Sequence, residues 1–127
     1  MKAGMLLSVL FFALALPAAA HHSGAAFDRE KSVTVVGTVS SVEWTSPHAR
    51  LKVDAKDEKG AAVVWDFELP SPVTLVRRGW SKNALVPGDK ITVTGAPARE
   101  HALIAIATGV VDKTGKRLFS GAANSTE

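Results

Sequence analysis

Short β-rich runs, each closed by a turn signal, succeed one another from Ser32 to Leu118, with one proline-capped segment among them. Ser32 to Trp44 carries Val33, Val35, Val36, Val39 and Val42 and is interrupted by Gly37, which in a long strand marks a bend or bulge. Ala49 to Ala55 alternates Leu51 and Val53 with Arg50, Lys52 and Asp54, the period of a half-buried strand. Asp57-Glu58-Lys59-Gly60 is a turn, and Ala61 to Glu68 returns with Val63, Trp65 and Phe67 on one face, so these two strands form a hairpin. Ser71 before Pro72 reads as a helix N-cap, because its oxygen accepts an amide that would otherwise lack a partner. In that helix, Ser71 to Arg78, Leu75 and Val76 face inward, Arg77 and Arg78 sit where the dipole favours cations, and Gly79 leaves in the left-handed conformation.

Leu85-Val86-Pro87-Gly88-Asp89 turns into a strand with Ile91 and Val93, and Ala102 to Val111 is another apolar run with a break at Gly109. Asp112 to Gly115 turns into a short segment around Leu118. Three strands, a short helix and two more strands predict an all-β fold, a small OB-like Greek-key barrel of five strands. There is no cysteine, so packing alone must stabilise the domain, and a closed sheet leaves the fewest open edges.

The first twenty residues stand apart. Lys2, the apolar run from Met5 to Leu16 and the small residues Ala18 and Ala20 form the pattern of a signal peptide cleaved after Ala20. The apolar run falls short of the roughly 20 residues of a spanning helix, so no membrane span is expected after processing. The expected organisation is a signal peptide over 1–20, one barrel domain with an N-terminal arm over 21–119 and a flexible tail over 120–127. The expected location is periplasmic or secreted. After cleavage 107 residues remain, with 14 Lys and Arg against 12 Asp and Glu. That charge is spread along the chain, so no basic stripe for nucleic acid exists.

Several motifs act together: His21-His22-Ser23 with Phe27-Asp28, Glu43-Trp44-Thr45-Ser46-Pro47-His48, Trp65-Asp66-Phe67-Glu68, Arg77-Arg78-Gly79-Trp80, and Leu85 through Gly95 followed by Pro97-Ala98-Arg99. Over the mature chain they resemble a family of small exported bacterial proteins grouped as a domain of unknown function (DUF6152). The resemblance implies an exported single domain with a barrel-like sheet and brings no activity, substrate or cofactor with it.

Residue chemistry points to metal. Cleavage after Ala20 makes His21 the first residue, whose amine and imidazole can chelate one ion together, and a neutral His48 imidazole can add a third nitrogen. His22 can replace His21, meet a second ion or do neither. Such ligands suit copper, nickel or zinc, with copper favoured by the general affinity order. His101, beside Arg99 and Glu100, reads as a solvated turn residue. Trp44 and Trp80 read first as rings that close the ends of the barrel, and Arg77 and Arg78 as a solvated face; with Pro47 they are also the candidates for a ligand or interface surface that would take a periplasmic protein or a glycan, the two arginines for an anion contact. A structural or interaction module without metal is therefore the alternative to a metal-binding accessory protein. Enzyme signals are thin: Glu43, Asp66 and Glu68 have no spacing that assigns acid and base roles, and Ser46 lacks a nucleophile elbow. A copper-dependent redox enzyme is the remaining alternative.

Overall fold

The computed structural model describes residues 26–120. Six strands and one helix follow the expected order: β1 Val33–Glu43, β2 Arg50–Lys56, β3 Ala62–Glu68, α1 Pro72–Arg77, β4 Lys90–Pro97, β5 Ile104–Asp112 and β6 Arg117–Ser120. β1 lies between β2 and β4, β2 pairs with β3, and β4 pairs with β5, all antiparallel. A parallel pairing of β3 with β5, from Asp66 opposite Ile104 to Glu68 opposite Ile106, closes the sheet into a small barrel. The sixth strand, β6, extends the sheet on the later half of β5.

The closure has a local mark. Leu103 sits at φ 61°, and its carbonyl accepts the Asp66 N–H at 2.9 Å just before the parallel pairing begins. A non-glycine residue in the left-handed region costs roughly 1–2 kcal/mol, so the joint between β3 and β5 is made against local backbone preference.

Period-2 alternation turns Leu51, Val53, Phe67, Ile91 and Val93 into the barrel, each at most 2 % exposed. In two strands the parity changes partway. β1 steps from Val39 opposite Val53 to Ser41 opposite Lys52, so Ser40 is extra and the inward set passes from Val35 and Val39 to Val42 and Trp44. In β5 the register skips Thr108, and Ala105 and Ala107 are followed inward by Val110. Gly37 is therefore not the bulge its position suggests. A Cβ there would run into the Asp54 carbonyl and lie 2.7 Å from Val53 Cγ1, so glycine allows β2 to pass close across β1.

Ser71 caps α1 through an Oγ contact from the Thr74 N–H at 3.2 Å, and Gly79 leaves the helix at φ 87°. Leu75 is fully buried, but its neighbour Val76 is 59 % exposed, against the expectation that both face inward. Six residues make fewer than two turns, and the stripe facing the barrel is one side chain wide. Trp80 and Leu85 join Leu75 in the core.

A second, smaller cluster lies on the outside of the barrel. Phe27 packs with Ala96 and Ile106, and its segment is held by the Asp28 N–H to Pro97 O bond at 2.8 Å and the Arg99 N–H to Ala26 O bond at 2.9 Å. The arm expected over residues 21–27 is thus anchored at its end across β4 and β5. Its earlier residues, with the expected signal segment, lie outside the described residues, as does the expected tail beyond Ser120. No helix among the described residues is long and apolar enough to cross a membrane.

Candidate functional site

His48 stands in the β1–β2 loop after a cis Ser46–Pro47 bond. Thr45 Oγ1 donates to the His48 carbonyl at 3.3 Å, and the next residue, Ala49, continues the β2–β3 ladder through Leu69 N–H to Ala49 O at 2.8 Å and Ala49 N–H to Pro70 O at 3.2 Å. That ladder carries His48 alongside the end of β3. There Glu68 alternates with the inward Phe67 and points away from the barrel axis, yet it is only 8 % exposed. It is the one charged residue in the buried set of the described chain.

His48 Nδ1 and Glu68 Oε1 are 3.5 Å apart, and neither atom has a hydrogen-bond partner among the described residues. The separation exceeds the usual 2.7–3.2 Å of an N–H···O bond. Buried polar atoms are nearly always satisfied by protein, water or an ion, and here the His48 ring and the Glu68 carboxyl face each other within ion-pair distance. Two ligand atoms held about 2.0–2.2 Å from one tetrahedral ion stand about 3.4 Å apart, and about 2.9 Å apart at right angles. The observed spacing matches the first arrangement.

Nearby charges are committed elsewhere. Arg50 is the cross-strand partner of Glu68, but its Nη2 meets Asp66 Oδ2 at 2.8 Å and its Nε meets Asp66 Oδ1 at 3.0 Å. The hydrogen-bonded Asp66 carboxylate holds the Arg50 guanidinium above its ordinary pKa, with Glu68 a lesser contributor. Lys52 pairs with Glu43 at 3.0 Å.

The other residues singled out from sequence take separate places. Trp44 is partly buried against the core and Trp80 is only 6 % exposed within it, so both rings pack. Pro47 is exposed beside His48, and Arg77 and Arg78 are exposed at the end of α1. His101 lies on the exposed β4–β5 loop, lining an open concavity of about 510 Å³ with Trp65 and Leu103. His21 and His22 fall outside the described residues. No group of three His, Cys, Asp or Glu side chains gathers among the described residues. Glu68 is the site residue that sequence reasoning did not connect to His48. Its signal is a carboxylate between Phe67 and the apolar pair Leu69-Pro70 at a strand end, where a solvated acid is out of place.

The profile of a family of unknown function, DUF6152, matches residues 9–107, a span that takes in His21, His22, His48 and Glu68 and ends within β5. No curated protein and no solved structure matches the chain. With more than half of its length matched, the chain belongs to the DUF6152 family of unknown function.

Proposed function

We propose that this is an exported, periplasmic or secreted accessory protein that binds a late first-row divalent metal, with His48 and Glu68 as one half of the ligand set. The observation that carries this reading is the open Nδ1 to Oε1 pair at 3.5 Å, spaced as two ligands of one ion. The other half comes from the processed N-terminus, where cleavage after Ala20 gives His21 a free amine beside its imidazole. Together these make three nitrogens and one oxygen, a complete set for a four-coordinate ion. Reach supports the assignment. Phe27 packs on Ile106, Ile106 is the strand neighbour of Glu68, and neighbouring strands lie about 4.8 Å apart. Six residues back from Phe27 to His21 span up to about 20 Å when extended.

We read the barrel as the OB type. The cycle β1-β2-β3-β5-β4 with its helix between β3 and β4 supports that reading.

Calorimetry of Cu²⁺ and Zn²⁺ binding tests the proposal. The proteins compared are the tag-free mature form, an N-terminally blocked form and the His21→Ala, His22→Ala, His48→Ala and Glu68→Gln variants. The blocked, His21, His48 and Glu68 proteins should each lose affinity, by more than the roughly 10–100-fold that follows loss of an outer partner to a ligand. Loss only on substitution of His22 would move the chelating residue by one position. Equal affinity in blocked and free proteins would remove the terminal amine, and no binding beyond weak surface association would leave the interaction module as the better reading.

A further inference from the structure

We infer that the segment from Leu69 to Gly88, which carries α1, is a surface for peripheral contact with an anionic lipid bilayer. The inference is independent of the metal reading, since it uses neither His48 nor Glu68. Large apolar side chains are exposed at five positions among the described residues, and three of these, Val73, Val76 and Val86, lie in this segment. Its charges are of one sign. Arg77, Arg78 and Lys82 are exposed, and no aspartate or glutamate occurs between Glu68 and Asp89.

What the segment buries decides what it presents. Leu75, Trp80 and Leu85 enter the core, so the chain between them is held against the barrel with its remaining side chains outward. Within α1, Val73, Val76 and Arg77 stand at i, i+3 and i+4 and share one side of the helix, opposite the buried Leu75. The Trp80 N–H to Leu75 O bond at 2.9 Å folds the chain back directly after the helix, and Lys82 stands two residues beyond that bond.

Apolar tips set among cations select the partner. A polyanion free in solution pairs with the cations but gives the valines nothing, and an uncharged apolar protein surface does the reverse. A bilayer interface takes up both: lipid phosphates meet the cations, and valine methyl groups leave water at the boundary of the acyl chains. The contact is peripheral, since the six residues of α1 are far fewer than the roughly 20 of a crossing helix. Val64, 50 % exposed on β3, lacks this setting because its cross-strand partner is Asp54, a carboxylate that an anionic surface repels.

Co-sedimentation of the tag-free mature form with lipid vesicles tests the inference; that form lacks the apolar run from Met5 to Leu16, which would itself seek lipid. Vesicles of mixed phosphatidylglycerol and phosphatidylcholine should bind the protein at low salt and release it at high salt, and vesicles of phosphatidylcholine alone should not bind it. One cation near an anionic surface is worth about fivefold in affinity, so the Arg77→Gln/Lys82→Gln protein should bind roughly 30-fold more weakly. The Val73→Ser/Val76→Ser protein should also lose binding, while Val64→Ser should bind like the parent. All five residues are exposed, and unchanged urea midpoints check that each variant is folded. Equal binding to the two kinds of vesicle, or binding to neither, would overturn the inference. Full vesicle binding by the valine variant, displaced by heparin, would also overturn it and make the surface a site for a soluble polyanion.

Discussion

His48 and Glu68, from a loop and a strand twenty residues apart in sequence, turn Nδ1 and Oε1 toward each other at 3.5 Å with no hydrogen bond to either atom among the described residues. A buried carboxyl oxygen without a hydrogen bond costs about 1–3 kcal/mol, and Glu68 Oε1, which only faces His48 at 3.5 Å, is such an atom. Glu68→Leu should therefore raise the urea midpoint of the metal-free protein, by about 1–3 kcal/mol in stability, because Leu meets Ile106 on the same outer face. On the proposed function, saturating Zn²⁺ should stabilise the parent by about 2.7 kcal/mol at a hundred times Kd, and the same variant should lose that gain. A Glu68→Leu protein that is less stable than the metal-free parent would show that the carboxyl group is satisfied in solution.

The adjacent apolar residues Leu75 and Val76 of α1 should behave oppositely. Leu75 is fully buried and Val76 is 59 % exposed. Leu75→Ala should cost about 2–5 kcal/mol, and Val76→Ala should stay within about 0.5 kcal/mol of the parent. Denaturant midpoints of the pair check which face the helix buries.

Gly37→Ala should destabilise the barrel although it adds a single methyl group. That methyl meets the Asp54 carbonyl and Val53 Cγ1, so β1 and β2 must separate locally. The expected cost is about 1–3 kcal/mol, read as a lower urea midpoint at unchanged slope.

Asp28 ties the arm to the β4–β5 loop. Burial works against its ionised form, but the Glu30 N–H at 3.3 Å, Lys31 at 3.4 Å and Arg99 at 3.7 Å outweigh burial and hold its pKa below the ordinary 3.8. A folded pKa below the unfolded one adds stability that is present above the unfolded value and lost as pH falls through the folded value. Asp28→Asn should thus unfold at lower urea than the parent at neutral pH, and the two should converge as pH falls through the lowered folded pKa of Asp28. A gap that persists unchanged in acid would assign the effect to packing rather than charge.

The elements themselves were legible because their causes are local. Alternation in 51–55 and 63–67, the Ser71-Pro72 cap and the turns at Asp57, Pro87 and Asp112 all act within a few residues, and each appears where the chain places it. Tertiary structure decided the rest. Ser40 and Thr108 became the bulged residues because strands of a closed barrel must change which face they bury, and the residue at which that happens depends on the partner strand. Val76 was turned outward because α1 is too short to bury two adjacent side chains. The meeting of His48 with Glu68 has no local cause: it follows from the β2–β3 register continued through Ala49 and Leu69, which brings a loop histidine onto the outer face beside an acid that its own strand alternation would have left in water.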